Sequence, residues 1–282
     1  MALAKLRPAE VIPERVSILA PVCNEAEGIE SFVVELVEVV YRYLPAGSEI
    51  LIQEGGSTDG TKEILRALNE RLPFVQIEYS PSKEGFAAAA RKLFKRAKNP
   101  IVFFVDSDGQ CVIPEFWKLV SHIRDYDWVI SRKNIRRDPL QRRVLSRTFN
   151  LIARNLFRFE YRDINYGFRV CRREKLLRSL DAAQHMPTLL NAELLIRAHL
   201  ANDRIKEIPV HHRPRLYGVS SGIHPNNIAT ETFKAFKGLW SLKREGRRRP
   251  APTLKVEPEA YKGRSAEEPV GDDVHRCKTG SG

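Results

Sequence analysis

Apolar residues fall along the chain in short continuous runs that alternate with stretches of helical spacing. Residues 16–21 read as a short buried strand followed by a helix pattern over about 26–43, and residues 49–53 as a second strand followed by a helix from about 62. The alternation continues with a strand at 74–79, an Ala-rich helix at 84–97, a strand at 101–105, a helix at 114–124 and a strand at 128–130. Repeated strand–helix units predict an α/β fold whose mostly parallel sheet is covered by helices on both faces.

Beyond residue 130 the pattern changes. Leu145, Phe149, Ile152 and Leu156 share one helical face while Arg147, Arg154 and Arg158 project elsewhere, which predicts a long amphipathic helix over 139–159 with a solvated basic face. An extended segment at 163–170, a helix at 192–200 and a strand at 205–210 follow. In residues 226–243, Ala229, Phe233, Phe236 and Trp240 recur at intervals of four, three and four among Lys234, Lys237, Lys243 and Arg244. Such a basic amphipathic helix suits either packing on the domain or lying on an anionic lipid surface. From residue 244 the chain is rich in Pro, Gly and charge without periodicity. The expected organisation is an N-terminal extension (1–15), one catalytic domain (16–243) and a disordered tail (244–282).

The balance of 47 Lys and Arg against 35 Asp and Glu gives a formal charge of +12, which favours phosphate-rich partners. The interleaved aromatics of an RNA-binding sheet are not evident, so no nucleic acid is expected. No apolar run approaches the roughly 18–20 residues that cross a bilayer, and the first residues lack a signal-peptide core. A cytoplasmic protein, peripheral at the membrane's inner face if the last helix docks there, is expected. The four cysteines are scattered without metal or disulfide spacing, so free thiols are predicted. The adjacent His211 and His212 point to opposite sides of an extended chain and are expected to be structural or acceptor-side residues.

The candidate chemistry gathers at strand ends. Asp106 and Asp108 close the apolar run 101–105, where two hard carboxylates suit Mg²⁺ or Mn²⁺ and leave coordination positions for a diphosphate. Asp-Ser-Asp-Gly is also ordinary turn chemistry. The polar segments 22–25 and 54–61 likewise follow strands, at the edge where open α/β sheets bind ligands.

Pro21-Val-Cys-Asn24-Glu25, Gly56-Ser-Thr-Asp59-Gly-Thr61, Asp106-Ser-Asp108-Gly-Gln110 and Asp163-Ile-Asn-Tyr-Gly167-Phe-Arg169 occur in one order. That ordered set, within residues 16–243, resembles family 2 glycosyltransferases, and most nearly the dolichyl-phosphate mannosyltransferase type. The resemblance implies a GT-A fold, a GDP- or UDP-sugar donor and inversion. It implies that Pro21, Asn24, Glu25, Glu54, Gly85 and Asp106 contact the donor, and that Asp106, Asp108 and Gln110 serve the metal. Where the family carries two consecutive acids, this chain has Glu54 and Gly55, so Glu54 inherits the base or ribose contact. Gly55-Gly56 is expected to be a turn needing positive φ, and Tyr166 to narrow the sugar or acceptor pocket.

A hydroxyl acceptor needs a general base, for which Asp163 and Glu193 are the candidates by resemblance, whereas a lipid phosphate is already ionised and needs cations. Arg132, Arg142 and Arg215 match positions where polyprenyl-phosphate transferases carry basic residues, and guanidinium groups pair bidentately with phosphate. A polyprenyl-phosphate acceptor is therefore expected. Transfer to a saccharide or other hydroxyl, and a non-catalytic nucleotide-binding protein, remain the alternatives.

Overall fold

The computed structural model describes residues 14–134, 140–215 and 228–248. Its centre is β1 (Val16–Val22), buried along its whole length because it has neighbours on both edges and helices on both faces. It pairs in parallel with β2 (Glu49–Glu54) and β4 (Ile101–Phe104), and β2 pairs in parallel with β3 (Val75–Tyr79). Between them run α1 (Ile29–Val39), α2 (Thr61–Arg71) and α3 (Phe86–Arg96). Alternate residues of one strand divide between two cores: Ile18 and Ala20 pack with α1 on one face, Leu19 with α3 on the other.

After β4 come a 3₁₀ turn, the short α4 (Phe116–Val120), β5 (Trp128–Lys133) and α5 (Leu140–Phe157). β6 (Arg169–Arg172), α6 (Arg173–Ala182), α7 (Leu190–Leu200), β7 (Ile205–Val210) and α8 (Ile228–Arg248) complete the described chain. The seven strands lie in the order β3-β2-β1-β4-β6-β5-β7. The sheet is mostly parallel, as expected, and β6 runs antiparallel to both β4 and β5. Because β6 begins at Arg169 opposite Phe104, the last residue of β4, the segment before it is delivered to the carboxyl edge of the sheet. α6 escaped sequence reading because only Leu176, Ser179 and Leu180 of its ten residues are buried.

The two amphipathic helices differ from expectation in their facing. Phe149, Ala153 and Phe157 hold α5 to the core, while Leu145 and Ile152 are exposed with Val144 and Leu151. In α8 the core positions are Ala235, Leu239 and Leu242, and Phe236 packs against Phe149 with centroids 6.5 Å apart. Phe236 therefore leaves the outer stripe, which keeps Phe233 (70% exposed) and Trp240 (62%). α8 runs to Arg248, past the expected start of the tail at 244. Residues 1–13 and 249–282, most of the expected extension and tail, lie outside the described residues. Cys23, Cys111 and Cys171 are free thiols as expected, and Cys277 is not among the described residues.

Candidate active site

Three loops meet at the carboxyl ends of β1, β2 and β4. Asn24, at φ 55°, donates its N–H to Ser57 Oγ (2.9 Å) and accepts from the Thr58 N–H through Oδ1 (2.9 Å). The Glu25 N–H donates to Thr61 Oγ1 (2.9 Å), and Asp59 accepts from the N–H groups of Ala26 and Thr61 (both 3.1 Å). Asp59 thus anchors the start of α2 by accepting from the N–H of its first residue, Thr61. Ser107 turns inward and donates to the Pro21 carbonyl at 2.8 Å, tying β4 to β1 between the two aspartates. These bonds fix the strand ends as one preorganised rim.

Gly56 has φ 78°, and a Cβ there would lie 2.3 Å from the Ser82 carbonyl. Gly55 is different: its φ is not positive, so of the pair only Gly56 meets the expected need. Glu54 also departs from expectation. Its side chain is buried, Oε1 accepts the Ser57 N–H at 2.5 Å, and Oε2 lies 3.9 Å from Lys62 Nζ. It braces its own loop and does not present its carboxylate outward for a base or ribose. Gly85 supplies the residue before α3, with open space beside its Cα.

The Asp pair carries the most unusual electrostatics. Burial first, and then the nearby charge of Asp108, push the Asp106 carboxyl up to about 7, although Lys133 and Arg169 pull the other way. Its Oδ1 is buried without a hydrogen-bond partner. Gly167 leaves room for it, since a Cβ there would fall 2.4 Å from both Asp106 oxygens. Asp108 Oδ1 accepts the Gln110 N–H at 3.1 Å. With the Gln110 amide oriented to satisfy both its ends, its nitrogen donates to Asp108 Oδ2 (2.8 Å) and its oxygen accepts from the Arg215 N–H (3.3 Å). Gln110 therefore braces Asp108.

A divalent ion fits this pair. An orphaned buried carboxylate oxygen beside a second carboxylate wants a cation, and the ion's charge would reverse the upward shift of Asp106. Among the described residues no three His, Cys, Asp or Glu converge, so such an ion would draw its remaining ligands from diphosphate and water.

Arg215 is brought to this rim. Its guanidinium donates to Glu25 Oε1 at 2.6 Å and stands 3.7 Å from Asp108 Oδ2. Glu25 is nearly buried, and burial lifts its carboxyl to about 7 against the opposing pull of Arg215.

On the other flank, Arg169 is buried and gathers the Asp163–Arg169 segment, donating to the carbonyls of Ile164, Tyr166 and Asn191. Asp163 is buried close enough to raise the Arg169 pKa, against the burial that lowers it to about 10. Tyr166 does not narrow a pocket: its hydroxyl lies 3.3 Å from Cys111 Sγ and its ring packs on His212. His211 turns to Glu115, with Nδ1 2.6 Å from Oε1, so the two histidines face different partners as their adjacency requires. Arg132 stands 3.7 Å from Glu207, whereas Lys133, next on β5, lies over the Tyr166 ring at 4.9 Å. Strand alternation sends these neighbours to opposite faces, which is the signal that could have picked out Lys133. The Arg142 side chain lies outside the described residues.

Glu193 does not join the site as a base. It is 0% exposed, and its oxygens accept the N–H groups of Gln184, His185 and Met186 and the Arg197 guanidinium. An acid so committed has no oxygen to offer a substrate.

Residues 17–180 match the glycosyl transferase family 2 profile. The chain is 30% identical over 209 residues to glycosyltransferase AglD of Haloferax volcanii, covering 71% of this chain and 33% of that one. It is 27% identical over 212 residues to the undecaprenyl-phosphate 4-deoxy-4-formamido-L-arabinose transferase of Yersinia enterocolitica, covering 73% of this chain and 62% of that one. The chain thus spans about a third of the first relative and under two-thirds of the second. Among solved structures it is similar to glucosyl-3-phosphoglycerate synthase from Mycobacterium tuberculosis in complex with Mn²⁺, UDP and phosphoglyceric acid. That likeness has a TM-score of 0.61 at 19% identity, over 86% of this chain and 82% of that one, and is one of fold.

Proposed function

Because the chain belongs to glycosyl transferase family 2 and has the GT-A fold, we propose that it transfers a hexose from a GDP- or UDP-sugar to a polyprenyl phosphate at a membrane surface. The observation that carries this reading is the Asp106–Asp108 pair, with its orphaned oxygen, on a rim already organised by Asn24, Ser57 and Asp59. A relative named for undecaprenyl phosphate and a fold neighbour holding Mn²⁺ and UDP support it.

In this reading Asp106 and Asp108 hold Mg²⁺ or Mn²⁺, which offsets the charge of the departing nucleotide diphosphate when bound. Asn24 and Glu25 bound the nucleotide side of the rim, and Asp163 faces the donor sugar and acceptor. Arg215 positions Glu25 and Asp108. A phosphate acceptor needs no proton removed, which agrees with a site where Glu193 is sequestered. A hydroxyl acceptor would leave Asp163 as the base. Purified protein is to be offered GDP- and UDP-hexoses with Mn²⁺ and either citronellyl phosphate or citronellol. The expected product is the phosphodiester-linked sugar, and transfer to the alcohol alone would exclude the phosphate reading.

Membrane contact is assigned to the outer stripe of α8, where Phe233 and Trp240 stand among Lys234, Lys237 and Arg244. Among the described residues no helix is long and apolar enough to span a membrane. Aromatic insertion and basic attraction should act together, each charge near the surface contributing about 1 kcal/mol, so binding should weaken as salt rises. Phe233→Ser with Trp240→Ser is expected to abolish co-sedimentation with anionic liposomes at an unchanged melting temperature. A double variant that sediments like the wild type refutes docking by this stripe.

A further inference from the structure

A second basic cluster joins Arg132 to two arginines that no sequence motif contains. Arg132 at the end of β5, Arg154 on α5 and the segment Glu160, Tyr161 and Arg162 line a cleft of about 560 Å³ with Glu207 of β7. Three guanidinium groups face two carboxylates there, and one carboxylate is already engaged. Glu207 Oε1 accepts the N–H groups of Arg162 (2.7 Å) and Asp163 (3.0 Å), and its other oxygen stands 3.7 Å from Arg132. Arg154 Nε is buried with no hydrogen-bond partner. An unmet donor in a charged group is costly unless something else supplies the acceptor.

The chemistry that answers these features is a phosphate monoester. With three guanidinium groups against two carboxylates the cleft is net positive, so a dianion is attracted more strongly than a monoanion, and the ester's oxygens match guanidinium donors arriving from different elements. A carboxylate brings half the charge to the same three arginines. The location matters as well: Glu207 binds the Asp163 N–H, and Asp163 lies in the segment that Arg169 gathers beside Asp106.

We propose that Arg132, Arg154 and Arg162 form the seat of the acceptor's phosphate, with Glu207 setting the spacing between β5 and the Asp163 segment. This rests on the phosphate-acceptor reading above. It moves the acceptor cations from Arg215, which serves Glu25 and Asp108, to two arginines outside every motif. One turn before Arg154, the exposed Leu151 offers an apolar surface to the chain of a prenyl phosphate.

The seat is tested by titrating the full chain with citronellyl phosphate, inorganic phosphate and citronellol in a calorimeter. Arg154→Gln and Arg162→Gln are compared with Arg42→Gln, which removes the same charge from an exposed ion pair with Glu38. Each cleft variant should weaken phosphate binding roughly tenfold or more, the loss of a charge-assisted contact, with Arg42→Gln unchanged and melting temperatures preserved. Weakening for citronellyl phosphate alone identifies a lipid phosphate, and equal weakening for inorganic phosphate identifies a headgroup site indifferent to the chain. Wild-type affinity in both cleft variants, or no phosphate binding by the wild type, overturns the seat. In a parallel transfer assay, wild-type use of citronellyl phosphate with an unaltered KM in Arg154→Gln overturns the seat alone, whereas transfer only to citronellol overturns the acceptor reading itself.

Discussion

Asp108→Asn should remove metal-dependent donor binding and lower turnover by about 10²–10³-fold, the several kcal/mol that a bound ion supplies to leaving-group charge. The substitution preserves shape and keeps an oxygen for the Gln110 N–H, so the turn from β4 should survive. What disappears is the charge that Arg215 faces and that helps hold the Asp106 carboxyl up near 7. An amide is a poor ligand for a hard divalent ion, and Asp106 alone leaves too few anionic oxygens to hold it. Calorimetry of GDP and UDP with and without Mn²⁺, beside a thermal melt, reads the result. Undiminished metal-dependent affinity in a normally folded variant would remove Asp108 from the metal site.

Glu193→Gln should instead be a stability variant, losing about 3–5 kcal/mol, the range for breaking one partner of a buried charge pair. Glu193 is the point where three elements are joined. Its carboxylate takes the three N–H groups of the turn after α6 and the Arg197 guanidinium of α7, and Arg197 in turn reaches Glu245 of α8 at 3.2 Å. The amide that replaces it would turn an N–H₂ toward groups that are themselves donors, leaving some unsatisfied. For a chain of this size the melting temperature should fall by roughly 6–20 °C. A catalytic base would behave oppositely, so lost turnover at wild-type stability in a urea titration would restore Glu193 to the chemistry.

Gly167 illustrates how part of the site was legible in advance without its reason being visible. Its place in Asp163-Ile-Asn-Tyr-Gly167 marked it as part of a motif, but nothing local says that the missing side chain makes room for Asp106, sixty-one positions earlier. The same holds for Arg169, whose motif position was evident and whose work as the internal clamp on three carbonyls was not. Phe236 was misplaced for a related cause. Helical spacing indicates which residues share a face, and the choice between solvent and a neighbouring helix belongs to whatever packs there.

By itself the sequence determined the α/β class, the places of six of the seven strands to within a few residues and the polar segments at their carboxyl ends, because those follow from local periodicity and from where an apolar run stops. It also determined that Asp106 and Asp108 would stand at such an end. Only the tertiary structure decided that β6 enters antiparallel between β4 and β5, that Arg215 crosses 190 positions to Glu25, and that Arg132, Arg154 and Arg162 share a cleft. Strand order and side-chain convergence depend on contacts between residues far apart in the chain. Their energies come from burial and charge pairing that no local window contains.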